Sequence, residues 1–75
     1  NPSNGIVNLI FQSSITSDVS VEITDVWGRI VYNKKYDSFN GREENIIDVS
    51  AFKKGVYLLS LRNKKGVVSK KIVVY

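Results

Sequence analysis

The chain contains no cysteine, no histidine and no methionine, and it has a single proline. Without cysteine there is no disulfide and no thiolate zinc site. Without histidine, the commonest general base and the commonest metal ligand are both gone. Long apolar runs are missing as well. They stop at about five residues, against the ~20 that a bilayer-spanning helix needs. No basic-then-apolar leader opens the chain. No window holds a helical period, and no repeat or low-complexity tract is visible. These absences disfavour an enzyme, a metalloprotein, a redox protein and a membrane-spanning protein. At 75 residues, starting without Met, the chain is expected to be one small domain excised from a longer protein.

What is present is globular. Apolar residues at 43% and charged residues at 24% place the chain outside the disordered class. The net charge of +4 suits an acidic partner, nucleic acid or an anionic surface. The lysines fall as doublets: Lys34-Lys35, Lys53-Lys54, Lys64-Lys65 and Lys70-Lys71. In a strand, neighbouring side chains point to opposite faces, so a doublet spreads charge rather than focusing it. Either solubility and protection of sheet edges, or a specific basic patch, accounts for that arrangement.

Apolar residues recur with period two. Val7, Leu9 and Phe11 form one set, and Val19, Val21 and Ile23 form the cleanest. Ile47 with Val49, and Tyr57 with Leu59 and Leu61, continue the pattern. Val68, Ile72 and Val74 share a phase that Lys70 interrupts, its stem free to lie on the core. Residues 29–36 are β-rich, with an ambiguous inward phase. Residues 13–18 and 37–41 look like connections. Asn63-Lys64-Lys65-Gly66 looks like a hairpin loop, and Asp25-Val26-Trp27-Gly28 like a tight turn in which Gly28 takes a positive φ. The spacing predicts an all-β fold, a small antiparallel sandwich or barrel of six to seven strands.

Candidate chemistry is sparse. Asp25, Glu43, Glu44 and Asp48 supply carboxylates, but so small a fold leaves little room for a glycosidase cleft. Ser3, Ser50 and Ser60 have no histidine partner. No glycine-rich phosphate loop precedes a helix. Tyr32, Tyr36 and Trp27 near Lys34 and Lys35 imitate a single-strand nucleic-acid platform, but the lysines are dispersed. Trp27, at a turn tip, either lies back over the sheet edge or offers a contact to sugar or protein.

In chain order, the turns and strands resemble one family. Asn1-Pro2-Ser3-Asn4-Gly5 is similar to the opening motif of the type A C-terminal sorting domains of the type IX secretion system of Bacteroidota. Residues 21–31, ending in Asp25-Val26-Trp27-Gly28-Arg29, resemble its second motif. Residues 47–50, followed by Gly55-Val56-Tyr57, resemble its Gly-x-Tyr strand. Lys70-Lys71-Ile72-Val73-Val74 resembles its last motif. Trp27 stands where the family more often has a small or polar residue, and Tyr75 where Lys or Arg is common.

The resemblance implies an immunoglobulin-like β-sandwich that does no catalysis and holds no metal or cofactor. It implies a cargo domain preceding residue 1, which reaches the periplasm by its own signal. It implies recognition by the secretion machinery, including an outer-membrane shuttle and a sortase-like protease that removes the domain. The destination is the cell surface or beyond, without nucleic-acid binding or membrane insertion. The signal-motif residues are Pro2, Gly5, Asp25, Gly28, Arg29, Gly55, Tyr57, Lys70, Lys71, Ile72, Val73 and Val74. The alternative is a small fibronectin-like or carbohydrate-binding module appended to a secreted hydrolase.

Overall fold

The computed structural model describes the backbone of residues 2–3 and the whole of residues 5–75. Asn1 and Asn4, which carry part of the opening motif, lie outside the described residues. The elements are β1 (Pro2–Ser3), β2 (Ile6–Thr24), β3 (Ile30–Asp48), β4 (Gly55–Asn63) and β5 (Gly66–Val74). They form one sheet in the order β1-β5-β4-β2-β3. All neighbours are antiparallel except β1, which pairs in parallel with Val73 and Val74 of β5.

The expected six to seven strands in two sheets differ from this single sheet of five. The reason lies in residues 13–18 and 37–41. Both were expected to reverse the chain, yet both stay within strands, and the register shifts there. Asp37-Ser38-Phe39-Asn40-Gly41 does use its turn chemistry, with Ser38 at φ 51° and Gly41 at φ 103°. The positive φ values kink and bulge β3 instead of ending it. Ser38 N–H donates to the Asp18 carboxylate at 3.0 Å and the Asn40 amide to the Thr16 hydroxyl at 3.3 Å, which stitches the corner. A straight strand of this length would run about 63 Å. The molecule is only 36 Å long, so the β2–β3 hairpin has to fold over.

Folding over brings distant parts of one strand together. The Asn45 amide donates to the Tyr32 hydroxyl at 3.0 Å, although both residues belong to β3. Phe11 of β2 meets Tyr36 and Phe39 of β3, with ring centroids 5.4 and 5.1 Å away. The enclosed core is Phe11, Val19, Val21, Ile23, Ile47, Val49, Tyr57, Leu59, Ile72 and Val74. Its members come from the alternating sets, because period two sends one phase of each strand inward. Val7, Leu9 and Leu61 are half-buried around it. Val68 departs from its expected phase and is 65% exposed. It pairs with Leu61 near the loop end of the β4–β5 hairpin and lines an open groove between β5 and residues 7–11 of β2.

Candidate recognition site

The turn at residues 25–29 is built by one carboxylate. Asp25 Oδ1 accepts the N–H of Trp27 at 2.9 Å and the N–H of Arg29 at 3.0 Å. Its Oδ2 accepts Arg29 Nε–H at 2.7 Å. Gly28 N–H donates to the Asp25 carbonyl, and Asp25 N–H donates to the Arg29 carbonyl, both at 3.0 Å. Gly28 has φ 82°, the positive value expected of the loop tip. Each letter of Asp-x-x-Gly-Arg therefore has a structural task here. Burial pushes the Asp25 carboxyl up, but the donated hydrogen bonds and the Arg29 charge outweigh it and hold the pKa below its ordinary value. The loop presents Trp27 at 79% exposure, with the Arg29 guanidinium 5.5 Å from the ring centroid. The ring stands in solvent under a cation rather than lying back over the sheet.

The Gly-x-Tyr strand is also anchored from within. Gly55 opens β4 at φ 152° opposite Val74. Tyr57 is buried against Phe52 at 5.4 Å, and its hydroxyl donates to the Lys53 carbonyl at 2.6 Å. The hydroxyl thus ties the start of β4 to the chain entering it. Gly5 accepts the N–H of Val49 through its carbonyl at 2.8 Å, fixing the entry of β2 beside the exit of β3.

These motifs are far apart in sequence and meet at one end of the sheet. Val56 pairs with Val73 and Tyr57 with Ile72. Pro2 and Ser3 pair with Val73 and Val74. Thr24, just before the turn, pairs with Leu58. Asp25, Arg29, Lys53 and Tyr57 line one solvent-open hollow. Lys70 and Lys71 lie further along β5, opposite Leu59 and Leu58, and both are exposed. Ile72 and Val74 are core residues, Val73 is half-buried, and only the backbone of Pro2 is described.

The other candidates are dispersed. The Asp25 carboxylate is committed to its turn. Glu43, Glu44 and Asp48 lie on the outer half of the hairpin, with Glu44 opposite Ile10 and Asp48 opposite Ile6. Asp48 accepts the Ser50 N–H at 2.9 Å. Bonds from the Ser50 hydroxyl and N–H lower its pKa. Among the described residues, no three acidic side chains gather to hold a metal ion. Tyr32 and Tyr36 are half-buried on the core side, so they do not form an open stacking platform.

Two features escaped the sequence reading. One is the row of exposed apolar side chains on the outer face, Val56 and Leu58 among them. The other is charge segregation. From residue 49 onward the chain has no Asp or Glu, while most of its Lys and Arg lie there. A running count of charge along the sequence would have found it.

Comparison with known proteins settles the class. A family model described as the secretion system C-terminal sorting domain matches residues 1–75. The chain belongs to this family. The family is one of C-terminal sorting signals of type IX secretion, and such a signal implies transit to the outer membrane or cell surface. No curated protein matches it. No solved structure matches it either.

Proposed function

We propose that the sorting signal is read as a folded surface, at the end of the sheet where the four motifs meet. The observation that carries this reading is that convergence: residues 2–3, 25–29, 55–57 and 72–74 are assembled only by the fold. An unfolded tag would have no reason to bring them together. On this reading residues 1–75 form one sorting domain on a longer secreted protein. The domain performs no catalysis and uses no cofactor. The cargo crosses the periplasm, an outer-membrane shuttle engages the domain, and a sortase-like protease removes it at the cell surface. Lys70 and Lys71 provide charge beside the convergence. The Tyr57 hydroxyl reaching back to the Lys53 carbonyl resembles the tyrosine corner of immunoglobulin-like sandwiches, and it supports that finer view of the fold.

The test fuses the domain to a reporter in a host with the system, and changes Lys70 and Lys71 to Gln. Both side chains are exposed, so the melting temperature should hold while export falls. Normal export with both lysines neutralised removes their charge from the signal. Export lost together with a lowered melting temperature assigns the defect to folding.

A further inference from the structure

Besides the two-residue β1, the sheet leaves three edges without a neighbour among the described residues, and they are not equivalent. The outer edge of β3 is bulged, kinked at Ser38 and Gly41, and dotted with charges of both signs. Such an edge is blunted against strand pairing. The outer edge of β5 is different. It is regular along its whole length, with no register shift and no proline, and β1 covers it only at Val73 and Val74. On that outer side residues 66–70 face no strand among the described residues, and two exposed valines, Val67 and Val68, stand on that stretch. Beside it runs the third edge, that of residues 7–11 in β2. An apolar groove of about 400 Å³ separates the two, with Leu9, Phe11, Leu61 and Ile72 in its walls.

We infer that the β5 edge accepts an extended strand from a partner, and that this strand is acidic. Backbone groups on a regular open edge are satisfied by an added strand. The pairing pattern identifies which groups face outward. Asn63 and Gly66 close a two-residue hairpin loop and exchange hydrogen bonds, so the alternate residues Val67 and Ser69 point their N–H and C=O away from β4. Apolar side chains of the incoming strand enter the groove on one face. On the other they meet Val67 and Ser69. The charge of the partner follows from the surroundings. Lys65 and Lys70 border the open stretch, Lys64 shares a hollow with Asp18 and Asp37, no acid occurs after Asp48, and Lys70 has no acidic partner among the described residues. This inference rests on the proposed reading of the domain as a folded signal, and it names the chemistry that reads it.

The probe is an eight-residue peptide of alternating Glu and Val, titrated into the 75-residue domain and followed by NMR, with its Lys-Val counterpart as control. The Glu-Val peptide should shift the amides of residues 66–70 and slow hydrogen exchange at Val67 and Ser69. The Lys-Val peptide should bind at least tenfold more weakly. Ser69→Pro removes one outward N–H while leaving the β4 bonds in place, and should abolish binding at an unchanged melting temperature; Val67→Pro is the second variant if the first unfolds. Undiminished binding by the proline variants, shifts confined to another face, or no binding at millimolar peptide overturns the inference. Shifts at residues 66–70 that track protein concentration without peptide overturn it in favour of a second copy. Loss of export in the Lys70→Gln/Lys71→Gln reporter with no peptide binding leaves the folded signal standing and removes only the strand-addition mechanism.

Discussion

Replacing Tyr57 by Phe deletes one oxygen from a buried ring and tests whether the Gly-x-Tyr motif is a folding device. The hydroxyl donates to the Lys53 carbonyl at 2.6 Å, and the ring is 7% exposed against Phe52. A hydrogen bond of this kind contributes about 1 kcal/mol net. For a domain of this size, total stability is roughly 4–11 kcal/mol, and each kcal/mol shifts the melting temperature by about 4–8 °C. Tyr57→Phe should therefore lower it by several degrees. Tyr57→Ala removes the ring too and should cost about 3–5 kcal/mol, enough to threaten folding. Leu58 is the control, because it is the next residue but points outward. Nearly half of that side chain stays in water, so Leu58→Ala should cost about 1 kcal/mol. Thermal and urea unfolding followed by circular dichroism measure all three. A Phe variant as stable as the parent, or an Ala variant no worse than Leu58→Ala, would refute the assigned role.

Three further outcomes follow from the same geometry. Gly28 holds φ 82° with open space where a Cβ would lie, so Gly28→Val should be destabilised by backbone strain alone, about 1–2 kcal/mol, and Gly28→Asn by less; equal melting temperatures for both would contradict this. The Tyr36 hydroxyl is buried without a hydrogen-bond partner among the described residues, so Tyr36→Phe should unfold at a higher temperature than the parent, and a lower one would show that the oxygen is satisfied. Asp25 and Asp48 have pKa values below their ordinary 3.8, so the stability they add is present above that pH and is lost as pH falls through their folded values; an Asp25→Asn/Asp48→Asn variant should show a shallower loss of melting temperature between pH 5 and 2, and parallel curves would exclude the linkage.

The all-β class and most of the core were legible because period two is a local property. Val19, Val21 and Ile23 on one strand and Tyr57 with Leu59 on another needed only their own spacing. Gly28 was legible because few residues but glycine close so short a turn. Strand number was not. Residues 37–41 hold the right residues for a reversal, and whether they reverse the chain or kink it depends on Asp18 and Thr16, some twenty residues away. The exposure of Val68 is of the same kind. Its phase is right, but burial requires close packing, and the groove between Val68 and residues 7–11 of β2 stays open. The Asn45–Tyr32 bond was invisible because it joins two parts of one strand that must first fold over.

The motifs that mark the family are largely occupied with holding their own end of the sheet. Asp25 spends both carboxylate oxygens on its turn, Gly28 supplies a backbone angle, Tyr57 is buried and hydrogen-bonded inward, and Ile72 with Val74 fills the core. None of these groups is free to touch a partner. What the same end offers to solvent is different: Trp27 under Arg29, Val56 and Leu58 on the outer face, and Lys70 on the edge strand. The sequence signature is therefore chiefly a signature of shape, and contact falls to its exposed members Arg29 and Lys70 and to neighbours that the motif does not specify. On this reading, changing a buried or turn-forming motif residue abolishes export by unfolding the end of the sheet. Changing Lys70 abolishes it with the melting temperature nearly intact, and changing Leu58 abolishes it with a fall of only several degrees. The two classes separate on a plot of export against stability, and their falling on one line would mean that the domain is recognised only for being folded.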